Sequence, residues 1–155
     1  MGRNSGYLAL ASGLAGGAEL VLCPEIETTF EEIVETVEDS YIRGKAHCII
    51  VAAEGWKPGT DEVARRLRER KDELGFSVRV TRLGHVQRGG GPLAFDRILA
   101  TRLGAAAVQH LVDGDSGNMI GWVENDPRAT PLEEAIAYQK EIDPELYELS
   151  QVMDK

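Results

Sequence analysis

Patterns typical of helices and patterns typical of strands alternate along this chain, and this alternation constrains the fold more than any other feature. Apolar residues at helical spacing, with capping residues beside them, predict helices over residues 5–16, 29–43, 60–74, 92–112, 130–139 and 143–153. Short apolar runs predict strands at Glu19–Cys23, Cys48–Ala53, Phe76–Leu83 and Asn118–Glu124. Such alternation is typical of α/β layers, so we expect a three-layer, Rossmann-like α/β fold with a mostly parallel sheet.

The loops that follow the predicted strands are where we expect binding residues. Open parallel sheets bind their ligands beyond the carboxyl ends of the strands. In this chain those loops contain Pro24-Glu25, Glu54-Gly55 and the run from Gly84 to Arg88.

A cluster of arginines stands out because the chain as a whole is acidic. The net charge is −9, which argues against a nucleic-acid partner. One short stretch nevertheless holds five arginines against a single aspartate, Asp96; the arginines are Arg79, Arg82, Arg88, Arg97 and Arg102. This basic stretch predicts a site for a small anionic ligand. The alternative is a set of solvated arginines that happen to be neighbours.

The sequence gives no sign of a membrane span or of a cysteine-based metal site. No apolar run reaches 18 residues. The stretch from Tyr7 to Cys23 superficially resembles an export signal, but Glu19 interrupts it, and a helix followed by a strand explains it better. Cys23 and Cys48 form no Cys-x-x-Cys motif, so we expect reduced thiols, no cysteine-bound zinc and a cytoplasmic location.

The run from Arg79 to Arg97 has the composition of an anion clamp. Arginine binds two phosphate oxygens at once through its planar fork. His85 and Arg88 lie in the loop after a predicted strand, and Gly89-Gly90-Gly91 allows close backbone approach before the next helix begins.

This run resembles the long sugar-phosphate signature of the phosphofructokinase family. Met1-Gly2-Arg3 is similar to the family's sugar-binding triplet, and the segments 16–25 and 44–54 are similar to the units that follow it. The resemblance covers nearly the whole chain and is weak in 56–76 and after 125. It implies a partial phosphofructokinase fold, with a sugar-phosphate domain at 1–88, a segment returning to the donor domain at 89–140, and a C-terminal helix at 141–155.

The resemblance also implies a fructose 6-phosphate site. Met1 and Gly2 would position the sugar through their backbone, and Glu54 would accept hydrogen bonds from its hydroxyls. Arg3 would stabilise the charge of the phosphoryl group in transfer and is the one expected catalytic residue. Without the resemblance, Glu54 would be interpreted as a solvated carboxylate and Arg3 as a mobile residue near a terminus.

For the 6-phosphate of the sugar, the resemblance implies three basic residues. His85 and Arg88 would bind it directly, and Arg79 would reach it from a neighbouring subunit. Taken alone, His85 is equally compatible with an ordinary loop histidine.

A separate effector site is the third implication. Glu19 would bind the metal-associated phosphate of a nucleotide effector, and Arg43 and Lys45 stand where that site has basic residues. Arg43 occupies a position where a lysine is usual. The alternative for Glu19 is a plain charge at a strand edge. No metal ligand is expected in the catalytic site from this chain.

The donor half of the chemistry has no counterpart in the sequence. Phosphofructokinases place a Gly-rich donor loop and a Thr-x-Asp-x-Asp strand before the triplet, and a Walker loop is absent here. Asp113 and Asp115 form the one similar pair, in a Gly-rich loop. We therefore expect the C-terminal portion of a glycolytic 6-phosphofructokinase, inactive alone, that works as a homotetramer.

In that enzyme Mg²⁺ and ATP or pyrophosphate would bind mainly to the other half. One alternative is a stand-alone, non-catalytic module that binds a sugar phosphate or a nucleotide. The other is a plain interaction domain.

Overall fold

The computed structural model describes residues 1–138 and 141–153, and its contacts divide the chain into two compact units. Unit 1 comprises Met1–Gln87 and Lys140–Lys155, and unit 2 comprises Arg88–Gln139. The resemblance predicts a boundary at 88–89 and a separate C-terminal segment at 141–155. The assignment of these segments to sugar and donor domains stays a prediction.

Unit 1 contains a short parallel sheet with helices on both faces. Strands β1 (Leu20–Leu22) and β2 (Ile50–Ala52) pair in parallel. Around them lie α1 (Tyr7–Gly16), α2 (Phe30–Ile42), α3 (Thr60–Glu69), α4 (Lys71–Leu74) and α7 (Pro144–Met153). The expected α/β class is confirmed.

The two faces of β1 carry separate hydrophobic clusters, as the alternation of side chains along a strand requires. Leu20 and Leu22 pack with buried residues of the helices α2, α3 and α4. Val21 packs on the other face with Leu10 of α1 and Ile142, next to α7. Helices therefore cover both faces of the sheet, which accounts for the three expected layers.

Helix α2 begins where its sequence predicts. The side chain of Thr29 accepts a hydrogen bond from the amide of Glu32 at 3.2 Å, and the Glu32 carboxylate accepts from the amide of Thr29 at 2.6 Å. This reciprocal capping box satisfies two amides that the first turn leaves free. Ile33, Val34 and Val37 then form the buried stripe of the helix.

The predicted strand at Phe76–Leu83 is wrong. The segment forms no strand, although burial alternates as expected, since Phe76, Val78 and Val80 are half-buried while the residues between them are exposed. Among the described residues, however, no backbone segment pairs with it. A strand needs a hydrogen-bonded neighbour, and alternation alone does not supply one.

Two other boundaries also differ from the prediction. The helix expected over 60–74 divides at Arg70 into α3 and α4. The helix expected from residue 130 begins later, because Asp126–Pro131 forms a strand, β4. This strand was missed since it holds two prolines and two charged residues, a composition tolerated only at a sheet edge.

Unit 2 consists of α5 (Ala94–Val112), an antiparallel hairpin and α6 (Leu132–Ala137). The hairpin pairs β3 (Asn118–Val123) with β4, and both residues of its turn, Glu124 and Asn125, have positive φ as a type I′ turn requires. Within residues 88–138 no side chain is buried, and α5 exposes large apolar residues along its length, among them Phe95, Ile98, Val108 and Leu111.

Among the residues that the structure describes, no helix combines the length and apolar character needed to cross a bilayer.

Candidate functional site

The first residues of the chain lie against the loop that follows β2. The amide of Glu54 donates a hydrogen bond to the carbonyl oxygen of Met1 at 2.9 Å, and the amide of Gly55 donates to that of Gly2 at 2.8 Å. The amide of Ala53 donates to the carbonyl oxygen of Leu22 at the end of β1. The triplet Met1-Gly2-Arg3 therefore lies at the carboxyl edge of the parallel pair, where such sheets bind ligands.

Arg3 and Glu54 form an ion pair at this edge. The Nε atom of Arg3 lies 3.3 Å from Oε1 of Glu54, and the two side chains are 84% and 54% exposed. A pair this exposed adds little to stability. Its guanidinium and carboxylate are accessible side by side, so a polar ligand could contact both.

Because Gly55 has no side chain, the backbone of Arg3 can lie close to the loop after β2. A Cβ atom there would lie 1.9 Å from the carbonyl oxygen of Arg3. Gly2 is also constrained, because its φ is +86° and a Cβ would press on the carbonyl oxygen of Ser5. Both positions therefore exclude a side chain.

The other end of the N-terminal loop is held by the turn after β1. The Gly6 amide, at the start of α1, donates to both carboxylate oxygens of Glu25 at 2.9 Å. Cys23 is fully buried beside it, and its Sγ lies 3.8 Å from the Gly6 carbonyl oxygen. Burial and the charge of Glu25 raise the pKa of Cys23 to about 11, so the thiol stays protonated at neutral pH.

Arg79 and His85 lie in the exposed stretch after α4. Arg79 belongs to the unpaired segment that follows α4, and His85 to a 3-10 turn at Gly84–Arg88. Within the described part of the chain, the side chains of Arg79 and His85 form no hydrogen bond and no ion pair. Neither side chain is therefore bonded to Arg3 or Glu54. Arg82, by contrast, forms an ion pair with Asp61.

Of the seven residues expected to bind the sugar phosphate, the structure brings four together: Met1, Gly2, Arg3 and Glu54. Arg79 and His85 are exposed elsewhere in unit 1, and Arg88 begins unit 2. The sequence also missed a residue of this edge. The sequence predicts no role for Glu25, and its position in the loop after a buried strand was the available signal.

The expected effector residues are only partly brought together. Glu19 is buried; its Oε2 accepts from the Ile49 amide at 2.5 Å, and its Oε1 lies 3.3 Å from Nζ of Lys45. Burial raises the pKa of Glu19, but these hydrogen bonds outweigh it and hold the pKa below its ordinary value. Arg43 lies at the end of α2 and pairs with Asp39 at 3.0 Å.

A metal ion does not fit this arrangement as it stands. Both oxygens of Glu19 already accept hydrogen bonds from protein groups. Within the described part of the chain, no three His, Cys, Asp or Glu side chains lie close enough to bind a metal together.

The family model and two curated relatives that match this chain are all phosphofructokinases. The phosphofructokinase family model matches residues 1–111. An ATP-dependent 6-phosphofructokinase from Natranaerobius thermophilus is 51% identical over 97% of this chain and 46% of its own length. ATP-dependent 6-phosphofructokinase 1 from Thermus thermophilus is 50% identical over 99% of this chain and 47% of its own. The chain thus spans about half the length of these curated relatives.

Solved structures agree with the sequence comparison. Pichia pastoris phosphofructokinase in the T-state matches with a TM-score of 0.74 and 35% identity, over 88% of this chain and 16% of the matched chain. Pyrophosphate-dependent phosphofructokinase from Marinobacter aquaeolei matches with a TM-score of 0.73 and 28% identity, over 92% of this chain and 40% of the matched chain.

Proposed function

Because this chain belongs to the phosphofructokinase family, we propose that it is the C-terminal portion of an ATP-dependent 6-phosphofructokinase. That enzyme converts fructose 6-phosphate to fructose 1,6-bisphosphate in glycolysis, a cytoplasmic pathway. The observation that carries the proposal is the triplet Met1-Gly2-Arg3 held against Glu54 and Gly55 at the carboxyl edge of the sheet. This edge supplies backbone groups, a carboxylate and a guanidinium within a few ångströms.

The polar groups at this edge can each bind a different part of a sugar phosphate. A carboxylate accepts hydrogen bonds from hydroxyls, so Glu54 binds the sugar ring, while Met1 and Gly2 orient it through their backbone. Arg3 lies beside Glu54 and is 84% exposed, so its guanidinium can turn toward the phosphoryl group during transfer. There it stabilises the negative charge of the transition state.

The basic residues of the exposed stretch suit the phosphate of the same substrate. Arg88 and His85 bind the 6-phosphate in this proposal, and Arg79 binds it in a neighbouring subunit of a homotetramer. The absence of competing partners for Arg79 and His85 within residues 1–138 and 141–153 supports this role, because both side chains remain available.

In the proposal, the phosphoryl step also requires groups from the N-terminal portion. The 1-hydroxyl oxygen of fructose 6-phosphate attacks the terminal phosphorus of ATP, its proton passes to a base, and ADP leaves. The proposal assigns the base, the nucleotide and Mg²⁺ to the N-terminal portion. The names of relatives at 50–51% identity favour ATP as donor, whereas the pyrophosphate-dependent structure is 28% identical.

The exposed apolar surface of α5 supports the same proposal. A 19-residue helix with no buried residue has no core of its own to stabilise it. In the proposal this surface packs on the N-terminal portion, so the chain alone is expected to be inactive.

The effector role of Glu19, Arg43 and Lys45 is a further part of the proposal. Its support is the contact between Lys45 and Glu19. A nucleotide phosphate would take Lys45 from Glu19, so occupancy and the state of this ion pair would be linked.

The experiment compares the purified chain with and without a separately expressed N-terminal half of the Thermus thermophilus relative. Fructose 6-phosphate turnover is measured with Mg²⁺ and ATP, then with pyrophosphate. We expect no turnover from the chain alone, and ATP-dependent turnover from the mixture. Sugar-phosphate binding by calorimetry is measured in parallel.

The outcomes separate the alternatives. Turnover by the chain alone would overturn the requirement for a second portion. Binding of fructose 6-phosphate without turnover in the mixture would favour the stand-alone, non-catalytic module. If fructose 6-phosphate neither binds nor turns over, the interaction domain is the one alternative that remains.

A further inference from the structure

Glu25 makes an unusual contribution to the start of α1. The N-cap of this helix is Gly6, which has no side chain to accept a hydrogen bond, and the first turn contains no acidic residue. The first amides of a helix need acceptors from elsewhere. Glu25, 19 residues further along the chain, provides one by placing both carboxylate oxygens 2.9 Å from the Gly6 amide.

Gly6 is fixed from its other side as well. Its carbonyl oxygen accepts from the Leu10 amide at 2.8 Å and lies 3.8 Å from Sγ of the buried Cys23. A Cβ atom on Gly6 would collide with Cys23. Glu25 and Cys23 belong to the same turn after β1, so this turn determines where α1 begins.

The N-terminal loop, residues 1–6, is therefore anchored at two places, in the loops that follow the neighbouring strands β2 and β1. Its first two residues bond to the loop after β2, and Gly6 bonds to the turn after β1. Arg3 lies between these anchors, three residues from Gly6. If the Gly6 anchor is released, the backbone that carries Arg3 is held from one side only.

We propose that Glu25 is a positioning residue that holds Arg3 in place through the Gly6 amide. This inference rests on the proposed function, since Arg3 acts there on the transferring phosphoryl group. The carboxylate is suited to the task because negative charge is favourable at a helix N-terminus. Glu25 does not touch the substrate in this proposal; it acts through the loop.

The first arm of the test needs no activity. Nitrogen-15 NMR of the whole chain follows the Gly6 amide and the Nε–H of Arg3 in Glu25→Ala, Glu25→Gln and the control Glu27→Ala. Glu27 is exposed and lies two residues away. We expect Glu25→Ala to shift or broaden both signals, Glu25→Gln to keep most of the Arg3 signal because its amide oxygen still accepts, and Glu27→Ala to change neither.

The second arm uses the chain mixed with the N-terminal half. Glu25→Ala should lower kcat about 10-fold, a modest loss for a misplaced catalytic group. The KM for fructose 6-phosphate should change less than about 3-fold, because the anchors of Met1 and Gly2 remain. Glu25→Gln should restore at least about half of kcat. A role in stability alone would lower the melting temperature and leave kcat unchanged.

An unchanged Arg3 signal together with unchanged kcat in Glu25→Ala would overturn the proposal. If Glu25→Ala does not fold, Glu25→Asp takes its place, because it keeps the charge but falls short of Gly6 by one methylene; unaltered kcat there would equally overturn it. If the mixture shows no turnover at all, the proposed function fails, and the NMR arm still decides whether Glu25 positions Arg3.

Discussion

Replacing Gly55 by alanine should disable the candidate site while leaving the fold in place. The added Cβ would lie 1.9 Å from the carbonyl oxygen of Arg3, whereas real Cβ atoms essentially never come closer than 3.0 Å to such a neighbour. The two segments must therefore separate by at least about 1 Å. The Gly55 amide lies 2.8 Å from the Gly2 oxygen, and this hydrogen bond would lengthen or break.

The cost to stability and the cost to catalysis should differ in size. Losing one partly exposed hydrogen bond costs about 0.5–1.5 kcal/mol of unfolding free energy. A displacement of about 1 Å at a catalytic group can reduce the rate about 100-fold. That reduction corresponds to about 2.7 kcal/mol in activation free energy.

The assay is kcat/KM for fructose 6-phosphate in the mixture of this chain with the N-terminal half, together with urea unfolding of the chain. The matched control is Gly16→Ala, since a Cβ at Gly16 meets nothing within 4 Å. The control should retain both activity and stability. If Gly55→Ala kept kcat/KM within about 3-fold of the unsubstituted chain, the close contact between Gly55 and Arg3 would not control the site.

Three further outcomes are expected. Arg88→Ala should raise the KM for fructose 6-phosphate by the equivalent of about 1.5–3 kcal/mol, with the exposed Arg68→Ala as control; an unchanged KM would remove Arg88 from the site. The pKa of Glu19 is lowered in the fold, so its carboxylate stabilises the chain above the unfolded pKa. The stability difference from Glu19→Gln should shrink as pH falls from about 6 to about 3, and a constant difference would contradict this. Cys23 is fully buried with a pKa of about 11, so a thiol reagent at neutral pH should modify the half-buried Cys48 first; mass spectrometry would reveal the reverse order.

Local chemistry allowed much of the fold to be predicted from the sequence. Thr29 and Glu32 sit at capping-box spacing, and the start of α2 followed from them alone. The continuous apolar run around Leu20 and Leu22 indicated a buried strand. In both cases the residues that decide the structure are close together in the chain.

Features that depend on distant partners could not be predicted in this way. The segment Phe76–Leu83 has the alternation of a strand and lacks a neighbour, which no local pattern reveals. The pair of Arg3 with Glu54 joins residues 51 positions apart. The resemblance to a known family assigned both residues to one site but did not predict their contact. Glu25 was missed because its acceptor role depends on the start of α1 lying beside the turn after β1.

The absence of buried side chains within residues 88–138 has a consequence for the chain's survival in a cell. A segment without a core opens at almost no free-energy cost, so its amides should exchange with deuterium far sooner than those of β1. Proteases cleave such open segments first. Copies of the chain that find no partner would be degraded, and its abundance would follow the supply of whatever covers α5.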